Sequence, residues 1–283
     1  MYVADDEDDA YTVASDADVL VTHRLSEEFL AAAGSLRWVQ ALSAGVDSYD
    51  TNRLAERDVA LTNVSGIHAE PISQQVLGYL LYFERRFDRA VAQQRRREWQ
   101  RYGGGELGDR TVSILGVGAI GSQVARYVEP FGSRLLGVKR DPTTAPDALD
   151  AVYSPTELEA AVSDVDYLVI ACPLTDETRG LVDADVLESL ASDAVVVNIA
   201  RGAVVDESAL VSALEADEIR GAALDVFETE PLPADSPLWA RADVLVTPHM
   251  AGSTPHYWER CAEVFAENYE RFVDGRPLTN RIV

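Results

Sequence analysis

Short apolar runs rich in β-branched residues alternate with helical patterns from about residue 110 onward. Such runs predict buried strands, and their alternation with helices favours a parallel sheet that is covered on both faces. The predicted strands are 111–115, 135–138, 167–171, 194–199, 222–226 and 244–247. The predicted helices between them include 122–129, 156–163, 183–190 and 207–216. This order indicates an α/β fold with one doubly wound, Rossmann-type sheet domain.

A helical pattern precedes these strands. Apolar residues recur every three or four positions from Ile72 to Val91, after Glu70 and Pro71, which suit the first turn of a helix. We therefore predict one long amphipathic helix that begins near Pro71. The basic cluster at 95–97 is interpreted as a solvated or salt-bridged surface.

The first 70 residues contain two strand-like runs, 18–21 and 37–41, which predict a smaller lobe. The stretch 257–273 has the pattern of a single helix, which could pack back onto that lobe and make it discontinuous. The predicted domains are therefore residues 1–72 with 255–283, and residues 73–254.

Composition narrows the class of protein. A chain of 283 residues can form about two domains, and a hydrophobic content of 47% excludes intrinsic disorder. No apolar run approaches the roughly 18 residues of a membrane span.

The N-terminal MYVADDEDDA has no signal-peptide pattern, so we expect a cytoplasmic protein without a membrane partner. The two cysteines cannot form a disulfide framework or a four-cysteine zinc site, and we predict no metal.

The charge balance is strongly acidic, with 48 acidic and 24 basic residues and a net charge of -24. Nucleic acid is therefore not expected as a partner. Lys139 is the only lysine. Dense carboxylates with almost no lysine favour a halophilic cytosol, where molar salt shortens the Debye length to roughly 3 Å and screens the repulsion. The alternative is an acidic composition without salt adaptation.

The sequence GVGAIG at 116–121 matches G-x-G-x-x-G between a predicted strand and a predicted helix. In this context Gly116 permits a tight turn, Gly118 lets a pyrophosphate approach the backbone, and Gly121 lets the helix pack on the strand. The helix N-terminus then faces the anion. The motif predicts that residues 73–254 bind a dinucleotide, whereas a glycine-rich turn without a ligand is the alternative.

The next strand ends in LLGVKRDP, which places Lys139 and Arg140 where NAD enzymes have a carboxylate for the ribose. Two cations can instead bind a 2′-phosphate through charge-assisted hydrogen bonds. We therefore favour NADP(H) and keep NAD(H) as possible. In the competing interpretation Asp141 binds the ribose while both cations face solvent.

Polar residues follow the last three predicted strands, where open α/β sheets bind ligands. Arg201 follows the first of them and His249 the third, while Asp225 lies at the end of the second and Glu230 follows it. Together they could bind an oxo acid, orient an imidazole and move a proton. Taken singly, each also suits a surface ion pair or a structural histidine.

With these motifs the chain resembles the D-isomer-specific 2-hydroxyacid dehydrogenases over nearly its whole length. The segments that carry the resemblance are SAGVDSYD, SGIHAEPISQQVLG, GELGDRTVSILGVGAIG, CPLTDETRGLV, NIARGAVVDESAL, GAALDVFETEPLP and TPHMAGST. The resemblance implies an NAD(P)-dependent oxidoreductase that reduces 2-oxo acids to D-2-hydroxy acids reversibly. It also implies that the smaller, discontinuous domain is a flavodoxin-like substrate domain.

The resemblance also implies roles for residues. Arg201 is implied to anchor the substrate, His249 to act as acid and base, and Glu230 to hold the imidazole. The substrate carboxylate is implied to bind the backbone of Ala44, Gly45 and Val46, with Arg201 and His249 completing the substrate site. The implied cofactor-binding residues are Gly116, Gly118, Ala119, Ile120, Gly121, Lys139, Arg140, Cys172, Pro173, Thr178, Ile199, Ala200, Asp225 and Gly252.

Alternatives and one departure accompany the resemblance. A non-catalytic dinucleotide-sensing protein of the same fold, such as the C-terminal-binding corepressors, is the main alternative. A formate-dehydrogenase-like enzyme is less favoured, because that branch typically has glutamine at the position of Glu230. A homodimer formed through residues 73–110 is implied by the family. Members usually open with a complete strand and helix before the segment matching DADVLVTH, and we expect the smaller lobe to lack them.

Overall fold

The computed structural model describes residues 2–4 and 6–283. The chain divides into two compact units, Met1–His68 with Thr254–Val283, and Ala69–Ser253. The sequence places the first boundary at 72/73, but the helix expected there begins earlier, at Ala69, so the division lies at His68. Among the described residues, no helix is both long enough and apolar enough to cross a membrane.

The regular elements are numbered in chain order. The α-helices are α1 (Glu7–Val13), α2 (Glu27–Ala32), α3 (Thr51–Glu56), α4 (Ala69–Glu84), α5 (Phe87–Arg96), α6 (Ala119–Val128), α7 (Leu158–Val162), α8 (Ala184–Ser189), α9 (Glu207–Glu215) and α10 (Tyr257–Val273). The strands are β1 (Val19–Thr22), β2 (Trp38–Ala41), β3 (Ala60–Thr62), β4 (Thr111–Leu115), β5 (Arg134–Val138), β6 (Ala151–Tyr153), β7 (Tyr167–Ile170), β8 (Val195–Asn198), β9 (Gly221–Leu224) and β10 (Val244–Val246).

The first unit is a parallel sheet in the order β1-β2-β3, with α10 against it. Trp38 on β2 is fully buried, and its ring packs on Phe265 and Phe272 of α10 at centroid distances of 5.5 and 5.4 Å. Its indole N–H donates to Thr62 Oγ1 on β3 at 2.7 Å. The C-terminal helix is therefore part of this unit's core. The sequence did not predict β3, which is only three residues long. The expectation that this unit lacks a helix before β1 was wrong, because α1 lies there and its Ala10 and Tyr11 pack on the core.

The second unit contains, within the residues described, a seven-stranded sheet in the order β10-β9-β8-β7-β4-β5-β6. Every pairing in it is parallel. Helices α4 and α6 supply buried residues to one face, and α7, α8 and α9 to the other. The doubly wound Rossmann-type fold is confirmed. Six of these strands were predicted, and β6 was missed because it is a three-residue edge strand with partly exposed residues.

The prediction of one long helix after Pro71 was wrong. The chain forms α4 and α5, separated at Arg86, whose φ of 55° lies in the left-handed region. Glu84 at the end of α4 is 2% exposed and accepts hydrogen bonds from Arg110 Nε (3.1 Å) and Tyr167 OH (2.7 Å). These contacts hold the end of α4 on the sheet while the chain turns away. As a result Phe87 is 49% exposed, although the apolar pattern includes it.

Candidate active site

The predicted site residues of the second unit all follow the carboxyl ends of its strands. Because these strands are parallel, the structure brings the residues to one edge of one sheet. They are Gly116, Gly118, Ala119, Ile120 and Gly121 after β4; Lys139 and Arg140 after β5; Cys172, Pro173 and Thr178 after β7; Ile199, Ala200 and Arg201 after β8; Asp225 and Glu230 after β9; and His249 and Gly252 after β10.

The glycine loop has the geometry that dinucleotide binding requires. Gly116 has φ 97°, and a Cβ there would lie 2.5 Å from the backbone N of Cys172. A Cβ on Gly121 would lie 2.2 Å from the carbonyl oxygen of Gly116, so only glycine allows α6 to pack this close. Gly118 is the N-cap of α6 without a side-chain cap, and nothing lies within 4 Å of its Cβ position. A phosphate can therefore approach the N-terminus of α6.

The end of β5 carries the two cations and the competing carboxylate. Lys139 Nζ donates to the carbonyl oxygen of Thr144 at 3.0 Å, and Arg140 is exposed. Asp141 accepts from the hydroxyl and the backbone N–H of Thr143, at 2.6 and 3.1 Å. These bonds lower the pKa of Asp141 below its usual value, with a smaller contribution from the charge of Lys139. The Asp141 carboxylate is thus engaged in its own turn.

The segment after β7 begins with a buried thiol and closes as a turn. Burial raises the pKa of Cys172 to about 11, which keeps this side chain neutral at ordinary pH. The hydroxyl of Thr178 donates to the carbonyl of Pro173 at 2.6 Å and accepts from the backbone N–H of Thr175 at 2.8 Å. Thr178 therefore shapes this turn.

Arg201 lies in a turn that the side chain of Asn198 organises. Asn198 Nδ2 donates to the carbonyl of Arg201, and Asn198 Oδ1 accepts from the backbone N–H of Ala200, both at 3.0 Å. A Cβ on Gly202 would lie 1.8 Å from the carbonyl carbon of Phe227, so the turn packs directly on the segment after β9. Glycine at 202 thereby brings the segment of Arg201 against the segment of Glu230.

Glu230 and His249 form a hydrogen-bonded pair. Glu230 Oε2 lies 2.7 Å from His249 Nδ1, and Glu230 Oε1 accepts from the backbone N–H of Phe227 at 3.1 Å. The side chains remain accessible, with 54% of His249 and 35% of Glu230 exposed. With Nδ1 directed at the carboxylate, Nε2 is the ring nitrogen on the opposite side, where a substrate oxygen could be met.

Asp225 binds the segment that carries His249. Its carboxylate accepts from the backbone N–H groups of Met250 (2.9 Å) and Ala251 (2.8 Å) and from the hydroxyl of Thr247 (2.5 Å). The carbonyl of Asp225 accepts from the N–H of His249 at 2.8 Å. The sequence assigned Asp225 to the cofactor, and that role stays a prediction.

The three remaining predicted residues, Ala44, Gly45 and Val46, form a loop after β2 in the first unit. Their carbonyl oxygens accept from the side chains of Asn63 and Ser43, both at 2.6 Å, and from the N–H of Tyr49 at 3.0 Å. The loop is therefore well fixed within its own unit. Its role in binding a substrate carboxylate stays a prediction.

Sequence reasoning missed two hydroxyl groups near this site. Thr247 lies between Asp225 and Tyr79, and the Tyr79 hydroxyl is 2.5 Å from its Oγ1. Thr247 belongs to the TPH segment and was recognised only as part of that motif. Tyr79 continues the apolar stripe of α4, so nothing in the pattern separates it from an ordinary core residue.

Comparison with known proteins gives consistent matches. A family model described as "D-isomer specific 2-hydroxyacid dehydrogenase, NAD binding domain" matches residues 77–251. A glyoxylate reductase from Aeropyrum pernix is 36% identical over 282 residues, which cover 95% of this chain and 84% of the relative. The chain spans only about half the length of the D-3-phosphoglycerate dehydrogenases it also matches, 51% and 53% for two of them.

Solved structures resemble the whole chain. A D-isomer specific 2-hydroxyacid dehydrogenase family protein from Aeromonas salmonicida superposes with a TM-score of 0.88 at 37% identity, covering 99% of this chain and 89% of the other. A D-isomer specific 2-hydroxyacid dehydrogenase from Xanthobacter autotrophicus, in complex with NADPH and MES, has a TM-score of 0.86 at 30% identity. It covers 100% of this chain and 96% of the other.

Proposed function

This chain belongs to the D-isomer-specific 2-hydroxyacid dehydrogenase family, and on that premise we propose that it reduces 2-oxo acids to D-2-hydroxy acids in a reversible hydride transfer. One observation carries the proposal. The pair formed by His249 and Glu230 lies at the same edge of one sheet as a glycine loop fit for a dinucleotide.

The cofactor fits the residues present. The open N-terminus of α6 at Gly118 would bind the pyrophosphate, and the tight turn at Gly116 lets the backbone approach it. Cys172, Pro173, Ile199 and Ala200 would form walls around the remainder. The nicotinamide ring, when bound, supplies or accepts the hydride at the substrate C2.

The chain itself moves the proton. During reduction, His249 Nε2 gives its proton to the carbonyl oxygen as C2 gains the hydride, so the ketone becomes an alcohol and the imidazole becomes neutral. Glu230 accepts from Nδ1 and keeps the ring oriented, while the Phe227 N–H holds the carboxylate itself. In the reverse direction neutral His249 takes the hydroxyl proton.

The substrate acid would be bound by a cation and by backbone donors. Arg201 has a planar guanidinium that suits bidentate contact with a carboxylate or with a carboxylate and a carbonyl oxygen. We propose that backbone N–H groups of Ala44, Gly45 and Val46 bind the carboxylate as well. These contacts recognise the carboxylate and carbonyl groups that all 2-oxo acids share. They do not select the substituent on the substrate's C2 carbon.

We further propose that NADP(H) is preferred over NAD(H). Lys139 and Arg140 follow β5 where the ribose 2′ position is expected, and the rival Asp141 is bound to Thr143. The similar structure from Xanthobacter autotrophicus, which contains NADPH, supports the same preference. A carboxylate already held by its own turn is less available for ribose hydroxyls than the exposed Arg140 is for a phosphate.

The non-catalytic alternative is not favoured. The matching relatives are named as reductases and dehydrogenases, and the His249–Glu230 pair has the geometry of a working acid–base group. The C-terminal-binding corepressors resemble the set of Arg201, Glu230 and His249 as well, so turnover of a 2-oxo acid is the observation that separates the two functions.

A homodimer and a cytoplasmic location belong to the proposal as well. Phe87, Val91 and Trp99 are 49%, 39% and 98% exposed, and they lie on α5 and just beyond it. Large exposed apolar side chains in one region are typical of an interaction surface. We propose that a second copy covers them. The proposal of a cytoplasmic location rests on the sequence and not on the structure.

The activity test uses purified full-length protein in molar KCl. A panel of 2-oxo acids that includes glyoxylate and hydroxypyruvate is offered with NADPH and, separately, with NADH, and oxidation of the cofactor is followed by absorbance. The proposal predicts turnover that His249→Asn abolishes. Tight NADPH binding without turnover on any acid of the panel would instead identify a sensing protein.

A further inference from the structure

A chain of hydrogen bonds runs from α4 to the segment that carries His249. Gln75 Nε2 lies 2.9 Å from the hydroxyl of Tyr79, which lies 2.5 Å from Thr247 Oγ1. Thr247 in turn donates to Asp225 Oδ1 at 2.5 Å. Tyr79 is 3% exposed and Asp225 is 1% exposed, whereas Gln75 and Thr247 are half-buried.

The direction of the chain follows from its chemistry. A carboxylate only accepts hydrogen bonds, so the single hydroxyl hydrogen of Thr247 is used on Asp225. Tyr79 must then donate to Thr247, and the amide of Gln75 donates to Tyr79. All the donors point toward Asp225, and each bond polarises the next one.

Asp225 connects this chain of hydrogen bonds to the segment that carries His249. Its side chain and carbonyl together accept hydrogen bonds from Thr247 and from the backbone N–H groups of His249, Met250 and Ala251. His249 has φ 48°, a left-handed conformation that is unfavourable for a non-glycine residue. Such a backbone persists only where its surroundings enforce it.

We propose that Tyr79 is a positioning residue for His249. Its hydroxyl fixes Thr247, which orients the Asp225 carboxylate, and this carboxylate keeps the segment 247–251 in the strained form that directs the imidazole to Glu230. The catalytic consequence rests on the proposed dehydrogenase function, whereas the mechanical consequence does not.

A matched control exists in the same unit. Tyr167 is buried as well, and its hydroxyl donates to the carboxylate of Glu84 at 2.7 Å. It lies at the start of β7, at the edge of the sheet opposite the site. Tyr79→Phe and Tyr167→Phe therefore delete the same hydroxyl oxygen from similarly buried rings. Only the first substitution breaks the chain of hydrogen bonds that leads to the segment of His249.

The experiment compares the two variants in kinetics and in hydrogen exchange. Tyr79→Phe is expected to lower kcat about tenfold through misplacement of the imidazole, with KM for the oxo acid and the cofactor within about twofold of wild type. Tyr167→Phe is expected to lower Tm but to leave kcat unchanged well below Tm. In hydrogen-exchange mass spectrometry, the peptide covering 247–251 should lose protection only in Tyr79→Phe.

A double-mutant cycle adds a second test. Thr247→Val removes the hydroxyl through which Tyr79 acts, so adding Tyr79→Phe to it should cost no further loss of kcat. Additive losses would contradict the chain. Should Tyr79→Phe not fold, Gln75→Leu breaks the first bond while keeping the tyrosine, and a smaller loss of protection at 247–251 is expected.

The possible failures are distinguishable. If wild type has no activity, the proposed function fails, and the exchange of 247–251 still decides whether Tyr79 holds this segment. If wild type is active and Tyr79→Phe matches Tyr167→Phe in both kcat and exchange, the positioning role is overturned.

Discussion

Glu230 divides its two oxygens between the chain and the imidazole: Oε1 accepts from the backbone N–H of Phe227 at 3.1 Å, while Oε2 lies 2.7 Å from His249 Nδ1. The backbone of Phe227 therefore fixes the carboxylate, and the carboxylate in turn orients the histidine. A bond of this kind selects one tautomer and one ring orientation, which leaves Nε2 for proton transfer.

Glu230→Gln should lower kcat for reduction about 10²-fold, because an amide keeps the shape but loses the charge that supports the protonated ring. Glu228→Gln, an exposed neighbour in the same segment, is the matched control and should behave as wild type. Steady-state kinetics in both directions measures the effect. Equal activity of the two variants would remove Glu230 from the mechanism.

The same pair predicts opposite pH dependences for the two directions. Reduction requires His249 to carry a proton, so its rate should fall as pH rises, whereas oxidation requires the neutral ring and should speed up. Rates of both reactions, measured across the pH range in which the protein stays folded, provide the test. Parallel pH profiles in the two directions would contradict His249 as the acid and base.

Arg140→Ala should raise KM for NADPH by about tenfold and leave KM for NADH nearly unchanged. Only NADPH has a 2′-phosphate, and this phosphate loses the guanidinium that binds it. Arg134→Ala is the control, because Arg134 is an exposed arginine at the other end of the same strand. Kinetics with each cofactor at saturating oxo acid decides the question. An unchanged NADPH to NADH ratio would return Asp141 to consideration as the ribose ligand.

The limits of sequence reasoning follow from what each pattern contains. The amphipathic stripe of α10 spans 17 residues, and its predicted bounds, 257–273, agree with the structure. Strands β3 and β6 have three residues each, too few for a periodic signal. The helical pattern after Pro71 continues through Val91, but α4 ends at Glu84, whose carboxylate is held by Arg110 and Tyr167.

The sequence also predicts which end of the sheet carries the candidate site residues. Residues after strand ends could be placed along one sheet edge, because parallel topology alone brings them there. The contact between Tyr79 and Thr247, 168 positions apart in the chain, depends on how α4 lies on the sheet. No spacing in the sequence encodes that distance.

Burial predicts that Cys172 is unreactive in the folded protein. Its pKa is raised from 9.0 to about 11, so only about 0.1% is thiolate at pH 8. A raised thiol pKa also means that the neutral thiol contributes to the stability of the folded protein relative to the thiolate. That gain is complete below about pH 9 and is lost as pH rises toward about 11.

Iodoacetamide labelling followed by mass spectrometry tests this, with Cys261→Ser used so that Cys172 is the only thiol. Labelling at pH 8 should be slow in native protein and fast in denaturant. Rapid native labelling would show that the end of β7 is more open than the structure indicates.

Trp99→Glu should weaken self-association. Trp99 is 98% exposed in the single chain, and burying a carboxylate in its place at an apolar contact is costly. Analytical ultracentrifugation in molar KCl should give a dimer for wild type and more monomer for the variant. Trp239→Glu, at another exposed tryptophan, is the control. A monomeric wild type would overturn the proposed dimer.

The net charge of -24 predicts that salt stabilises the fold. At about 1 M KCl the Debye length falls to roughly 3 Å, so repulsion among surface carboxylates is screened and Tm should rise by several degrees relative to dilute buffer. A variant with Glu56→Gln, Glu188→Gln and Glu263→Gln, all exposed positions, removes part of the repulsion. Its Tm should therefore be higher than wild type in dilute buffer and should depend less on KCl. A wild-type Tm that does not change with KCl would contradict adaptation to a salt-rich cytosol.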